Sequence, residues 1–242
     1  MMRVPDQRQI LGMAAPIIVA NCATPLLGLV DTAVIGHVGT TSDLGAIAFG
    51  ALIFSFLFWS FGFLRMGTSG FTAQAAGADD HAEIRATLGR ALLLAGGLGT
   101  TLILLQYPLA LGAFSLLQGS AEVEAVAADY FSIRIWGAPA ALANFALIGL
   151  FIGLGRTRQV LHLQLLLNGL NIVLDLWFAG LLQWGVAGIA LGTALSEWSA
   201  LAVGLWLAGR ELARWHGDTE VFWPWPRITD RRPLLRMLRA NG

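Results

Sequence analysis

Asp175 lies in the apolar run VLHLQLLLNGLNIVLDLWFAGLL together with Gln164, Asn168 and Asn171. The offsets from Gln164 are four, seven and eleven residues, which at about 3.6 residues per turn stack the four polar groups into one stripe of a helix. A carboxylate inside a membrane-length helix costs roughly 2.5 to 3.5 kcal/mol on insertion scales, so a chain that keeps one uses it to bind or carry something. A second carboxylate, Asp31 in LLGLVDTAVIG, shares a broad helical face with Asn21 and Thr24. If the two meet, their charges repel in a poorly hydrated site, and the pair holds a proton that it can take up and release. The alternative chemistry is a hard oxygen cluster, with Asp31, Asp175, the Asn171 amide oxygen and the Thr193 hydroxyl around a small cation such as sodium. A plainer reading makes Asp31 a cap or anchor at a helix end. That reading does not fit Asp175, which is followed by LWFAGLL.

Further polar groups lie within apolar stretches. Glu197 follows Ser196 on the sixth stretch, and it is either a second protonation or relay site or the partner of a buried Arg134. Asn144 on the fourth lines a cavity or makes one interhelical hydrogen bond. Pro16, Pro25 and Pro139 interrupt helical hydrogen bonding and permit bends. The four histidines show no ligand-like pairing, so no metal site on histidine is expected. The single cysteine, Cys22, reads as small core filler.

These residues must be positioned by membrane helices. Of 242 residues 56% are hydrophobic and 12% charged, against about a quarter charged in soluble domains. Six stretches, near 10–35, 46–74, 88–117, 124–153, 159–182 and 185–209, are long enough to cross roughly 30 Å of hydrocarbon. The chain has no lysine, and its arginines fall in alternate loops: Arg3 and Arg8, Arg85 and Arg90, Arg156 and Arg158, Arg210 and Arg214. Basic loops mark the cytoplasmic side, so both ends are expected there. The expected architecture is an all-α membrane protein in which residues 1–212 form a six-helix transmembrane bundle. Residues 213–242 read as a cytoplasmic linker: Pro224, Pro226 and Pro233 forbid a continuous helix, and LLRMLR resembles the basic lead-in to another span. Gly149 with Gly153, and Gly188 with Gly192, have the spacing that lets helices approach closely in lipid.

The runs APIIVANCATPLLGLVDTAVIGHVG, FLRMGTSGFTAQAAGA, NGLNIVLDLWF and GVAGIALGTALSEW resemble the amino-terminal lobe of MATE (multidrug and toxic compound extrusion) transporters, in particular their DinF-like branch. The resemblance covers essentially the whole chain. It implies one lobe of a two-lobe (6+6) transporter, the carboxy-terminal lobe being absent from this sequence, and it implies no enzyme. The implied activity is secondary antiport: inward proton or sodium movement drives export of amphipathic organic compounds from the bacterial cytoplasmic (inner) membrane. On this resemblance Asp31, Asn171, Asp175 and Thr193 carry the coupling ion, Gln164, Asn168, Glu197, Asn21 and Asn144 line the route or act as relays, and Pro16 is the helix bend. The expected partners are the bilayer, small amphipathic substrates and the second lobe. No nucleic acid and no cofactor beyond the coupling ion are expected. A lipid or glycolipid flippase of related architecture is the alternative, although it should favour a more cationic interior. An intramembrane aspartyl protease would need a Gly-x-Gly-Asp context, whereas Asp175 ends IVLD.

Overall fold

A computed structural model describes residues 18, 29–30, 32–37, 39–117, 119–214 and 222–239. Pro16, Asn21 and Asp31 lie outside the described residues, as does most of the span expected near 10–35. The described residues contain helices and no strand, and the protein is an all-α membrane protein. Five helical stretches in them are long and apolar enough to cross a membrane: Thr41–Gly77, His81–Leu104, Ala121–Gly153, Thr157–Leu181 and Gly185–Ala213.

Local chemistry sets where these helices start and break. Helix α1 (Thr41–Trp59) opens on a capping box, in which the Asp43 N–H donates to Thr40 Oγ1 at 3.2 Å and the Thr40 N–H donates to Asp43 Oδ2 at 2.7 Å. A turn at Ser60–Gly62 leads into α2 (Phe63–Gly77). Helix α3 (His81–Leu104) is capped by Asp80, whose carboxylate accepts from the Glu83 N–H at 2.9 Å. The stretch expected as one helix over 88–117 is two, α3 and α4 (Gln106–Leu117), with Leu105 between them. Pro108 explains the break, because its ring conflicts with the carbonyl of Leu104 and it brings no N–H to that turn.

Helix α5 (Ala121–Arg134) passes through a 3₁₀ turn, Ile135–Gly137, into α6 (Ala138–Gly153), the most buried helix. Helix α7 (Thr157–Asp175) continues as a π-helical turn, Leu176–Leu181, and α8 (Gly185–Ala213) follows. Beyond it, α9 (Trp225–Ile228) and α10 (Arg231–Arg239) fold back on the bundle.

Helix α6 occupies the centre, packed against α2, α3 and α8. The glycines allow this approach. A Cβ at Gly149 would sit 2.6 Å from the Arg65 carbonyl oxygen, and one at Gly153 would sit 2.7 Å from that of Ser69. The spacing seen in the sequence therefore seats α6 on α2, backbone against backbone. Gly188 does the same for α8, its Cβ position lying 2.8 Å from the Ala179 nitrogen on the π-helical turn. One end of the bundle is gathered by Ala75, Ile84, Phe151, Val160 and Leu212, with Trp223 against them. The same end carries the ion pairs of Glu211 with Arg156 (3.3 Å) and Arg214 (3.1 Å).

Candidate functional site

The stripe on α7 turns its polar side chains into the bundle. Asn171 and Asp175 are completely buried, Asn168 is nearly so, and Gln164 is half-buried. Burying four such groups is costly unless each has a task or a partner. Helix α8 supplies one: Asn171 Nδ2 donates to Thr193 Oγ1 at 3.2 Å, and that hydroxyl donates to the Ile189 carbonyl at 2.9 Å. One turn along, Gly192 lies directly against the Asp175 carboxylate, close enough that a Cβ there would run into Oδ1. Asp175, Asn171 and Thr193 are thus brought into one buried locus between α7 and α8.

The π-helical turn begins at the residue after Asp175, with the Leu182 N–H donating to the Trp177 carbonyl at 2.9 Å. Single π turns are frequent at functional sites. Nothing in LWFAGL announces it in the sequence.

The oxygen chemistry suits a small hard cation or a proton. Asn171 Oδ1 is buried and has no hydrogen-bond partner among the described residues. Thr193 Oγ1 keeps lone-pair capacity beyond the single bond it accepts, and the Asp175 carboxylate supplies negative charge. Among the described residues no group of three or more His, Cys, Asp and Glu forms a transition-metal cluster.

Glu197, one turn beyond Thr193, forms an ion pair with Arg134 at 3.6 Å. Of the two readings open for it, pairing is the one the geometry displays. Three more ties converge here. Asn144 Nδ2 donates to the Glu197 carbonyl at 2.9 Å, Trp198 Nε1 donates to the Trp136 carbonyl at 3.0 Å, and Glu197 Oε2 abuts Gly137. Arg134 also lies over the Phe54 ring, 4.7 Å from its centre. The 3₁₀ turn between α5 and α6 is therefore clamped to the helix that carries Thr193. Asn144 takes its interhelical hydrogen-bond reading, and Gln74 lines a surface cleft at the Asp80 end.

The chain matches the family described as MatE over residues 16–177, more than half its length. It is 44% identical over 193 residues to the DNA damage-inducible protein F of Escherichia coli strain K12, covering 80% of this chain and 42% of that protein. It is 31% identical over 197 residues to a probable multidrug resistance protein NorM of a Synechococcus species, again covering 80% of this chain and 42% of the relative. An outward-facing structure of a multidrug resistance MATE family transporter superposes with a TM-score of 0.81 at 25% identity, covering 95% of this chain and 50% of that one. The chain spans about half the length of the curated relatives it matches.

Proposed function

Since the chain belongs to the MATE family, whose members are transporters rather than enzymes, we propose that it forms the amino-terminal lobe of a secondary antiporter. Inward movement of a proton or sodium ion drives export of amphipathic organic compounds across a bacterial cytoplasmic membrane. Residues 1–212 make the six-helix lobe, and residues 213–242 lead to a second lobe that completes the central cavity. Both ends of the chain face the cytoplasm, in keeping with arginines that fall in alternate loops.

The observation that carries the reading is the buried locus of Asp175, Asn171 and Thr193 between α7 and α8. Asp175 carries the charge that the coupling ion neutralises, Asn171 and Thr193 orient and coordinate, and Asp31 on the first span joins them. Asn168 and Gln164 continue the route along the same face of α7, with Asn21 on the first span. Neutralising one buried charge per cycle ties ion movement to a change in which helix packing is preferred. Each charge carried inward across 100 mV supplies about 2.3 kcal/mol, enough for a substantial substrate gradient.

The test is efflux by the transporter assembled with its second lobe, in sodium-free buffer with and without a proton gradient, for the wild type and Asp175→Asn. The variant is expected to insert normally and to lose ion-driven efflux. Undiminished efflux would remove the proposal.

A further inference from the structure

Residues 222–239 pack against the bundle. Arg227 Nη1 donates to both carboxylate oxygens of Asp80 at 2.9 Å, and Arg90 Nη1 donates to the Arg227 carbonyl at 2.8 Å. Ile228 is buried against Gly89, where a Cβ would come 2.7 Å from Cδ1. Met237 on α10 is buried with Ala91 and Ala146. Helix α10 therefore turns Met237 inward. Arg232, Leu235 and Arg236 are exposed, giving a stripe at offsets of three and four, and Arg239 follows in the sequence.

These arginines differ from most others at this end. Arg90 is committed to Glu83, Arg156 and Arg214 to Glu211, and Arg227 to Asp80. Arg232 and Arg236 have no carboxylate partner among the described residues, and the Asp230 carboxylate accepts from the Arg232 backbone N–H rather than its guanidinium. An apolar groove of about 220 Å³ runs between α3 and the stretch that leads into α10, lined by Leu92, Leu93, Trp223, Trp225 and Ile228. Trp225 and Leu93 are largely exposed on it. A basic helix face and a tryptophan-lined groove on the same folded-back segment, where membrane spans end, have the chemistry that meets a lipid headgroup layer.

We propose that α9 and α10 form a seat for anionic phospholipid, with the arginine stripe engaging phosphate headgroups and the groove taking the adjoining acyl region. The inference goes beyond the transport reading and needs none of its ion chemistry. The docked α10 presents Arg232 and Arg236 together, so the preference over a zwitterionic lipid is about fivefold per arginine and weakens with salt.

The purified chain in nanodiscs of phosphatidylcholine, with and without phosphatidylglycerol, tests this through hydrogen exchange of residues 231–239. Phosphatidylglycerol is expected to slow exchange in the wild type, high salt to reverse the effect, and Arg232→Gln/Arg236→Gln/Arg239→Gln to abolish it with helix content unchanged by circular dichroism. Equal protection in both nanodiscs, or protection retained in the triple variant, overturns the proposal. Protection produced by inorganic phosphate alone also overturns it, in favour of a free-anion site. Native mass spectrometry, counting phosphatidylglycerol retained by the wild type and by Arg232→Gln alone, gives a second readout should the triple variant fail to fold.

Discussion

Gly188 and Gly192 lie one turn apart on the same face of α8, yet alanine at each should fail in opposite ways. At Gly188 the added methyl meets backbone: the Ala179 nitrogen at 2.8 Å and the Phe178 carbonyl carbon at 2.9 Å. Neither can rotate aside, so α8 must lift from the π-helical turn at an overpacking cost of about 1–3 kcal/mol. The gain in helix propensity from replacing glycine recovers about 1 kcal/mol. The net loss, up to about 2 kcal/mol, corresponds to a melting temperature lower by about 4–8 °C for a chain of this size. At Gly192 the first atom met is Asp175 Oδ1, the far end of a side chain, and the next contacts are Leu174 Cβ at 3.3 Å and the Asp175 nitrogen at 3.4 Å. The carboxylate turns away at about 0.5–1.5 kcal/mol, which propensity nearly offsets, so Gly192→Ala should melt close to the wild type. Its defect should be in ion binding. An ion that binds only the folded chain adds about 2.7 kcal/mol at a hundred times its Kd, so a proton- or sodium-dependent rise in melting temperature reads occupancy. The assay is melting by tryptophan fluorescence over sodium and pH series. Gly188→Ala should melt lower and keep the ion-dependent rise, whereas Gly192→Ala should melt normally and lose it. A Gly192→Ala protein that keeps the rise would mean that the Asp175 carboxylate does not hold the ion.

Three other perturbations follow from the same contacts. Thr193→Val keeps the shape but leaves Asn171 Nδ2 buried without its acceptor, which should cost about 1–3 kcal/mol in the melt, while Thr193→Ser should recover most of it. Removing one partner of the buried Arg134–Glu197 pair strands the other charge, so Arg134→Gln or Glu197→Gln should destabilise by about 3–5 kcal/mol, and the double variant Arg134→Met/Glu197→Leu should be close to neutral. Burial works to raise the Asp80 carboxyl, but the Glu83 N–H and the Arg227 guanidinium outweigh it and hold that carboxyl below the usual carboxylate range. Its contribution to docking the tail is therefore fully present above about pH 4 and is lost as pH falls through the lower folded value. Because the Asp80 side chain is partly exposed, the effect is modest. Hydrogen exchange of 222–239 should show an acid step that Asp80→Asn removes.

Much of the site was readable before the structure because its signals are local. The stripe Gln164, Asn168, Asn171, Asp175 needs only the helical period, and the glycine pairs need only their spacing of four. Pro108 carried an equally local signal, and it divides the stretch expected as one span at Leu105. What could not be read depends on tertiary partners. The pairing of Arg134 with Glu197 was one of two open readings because it links residues 63 positions apart, and sequence spacing does not fix which helices are neighbours. The π-helical turn after Asp175 is held by packing against Gly188 rather than by any residue preference. The tail's proline pattern ruled out one continuous helix, but its docking depends on Arg227 meeting Asp80 and Ile228 meeting Gly89, contacts between distant segments. Asp31 lies outside the described residues, so its approach to Asp175 remains part of the proposal.

The most direct measurement is infrared difference spectroscopy of the purified chain with isotopically labelled aspartate, recorded as pH and sodium are varied. A carboxyl band that responds to proton or sodium and disappears in Asp175→Asn is expected. A responsive band that persists unchanged in that variant would contradict the assignment to Asp175.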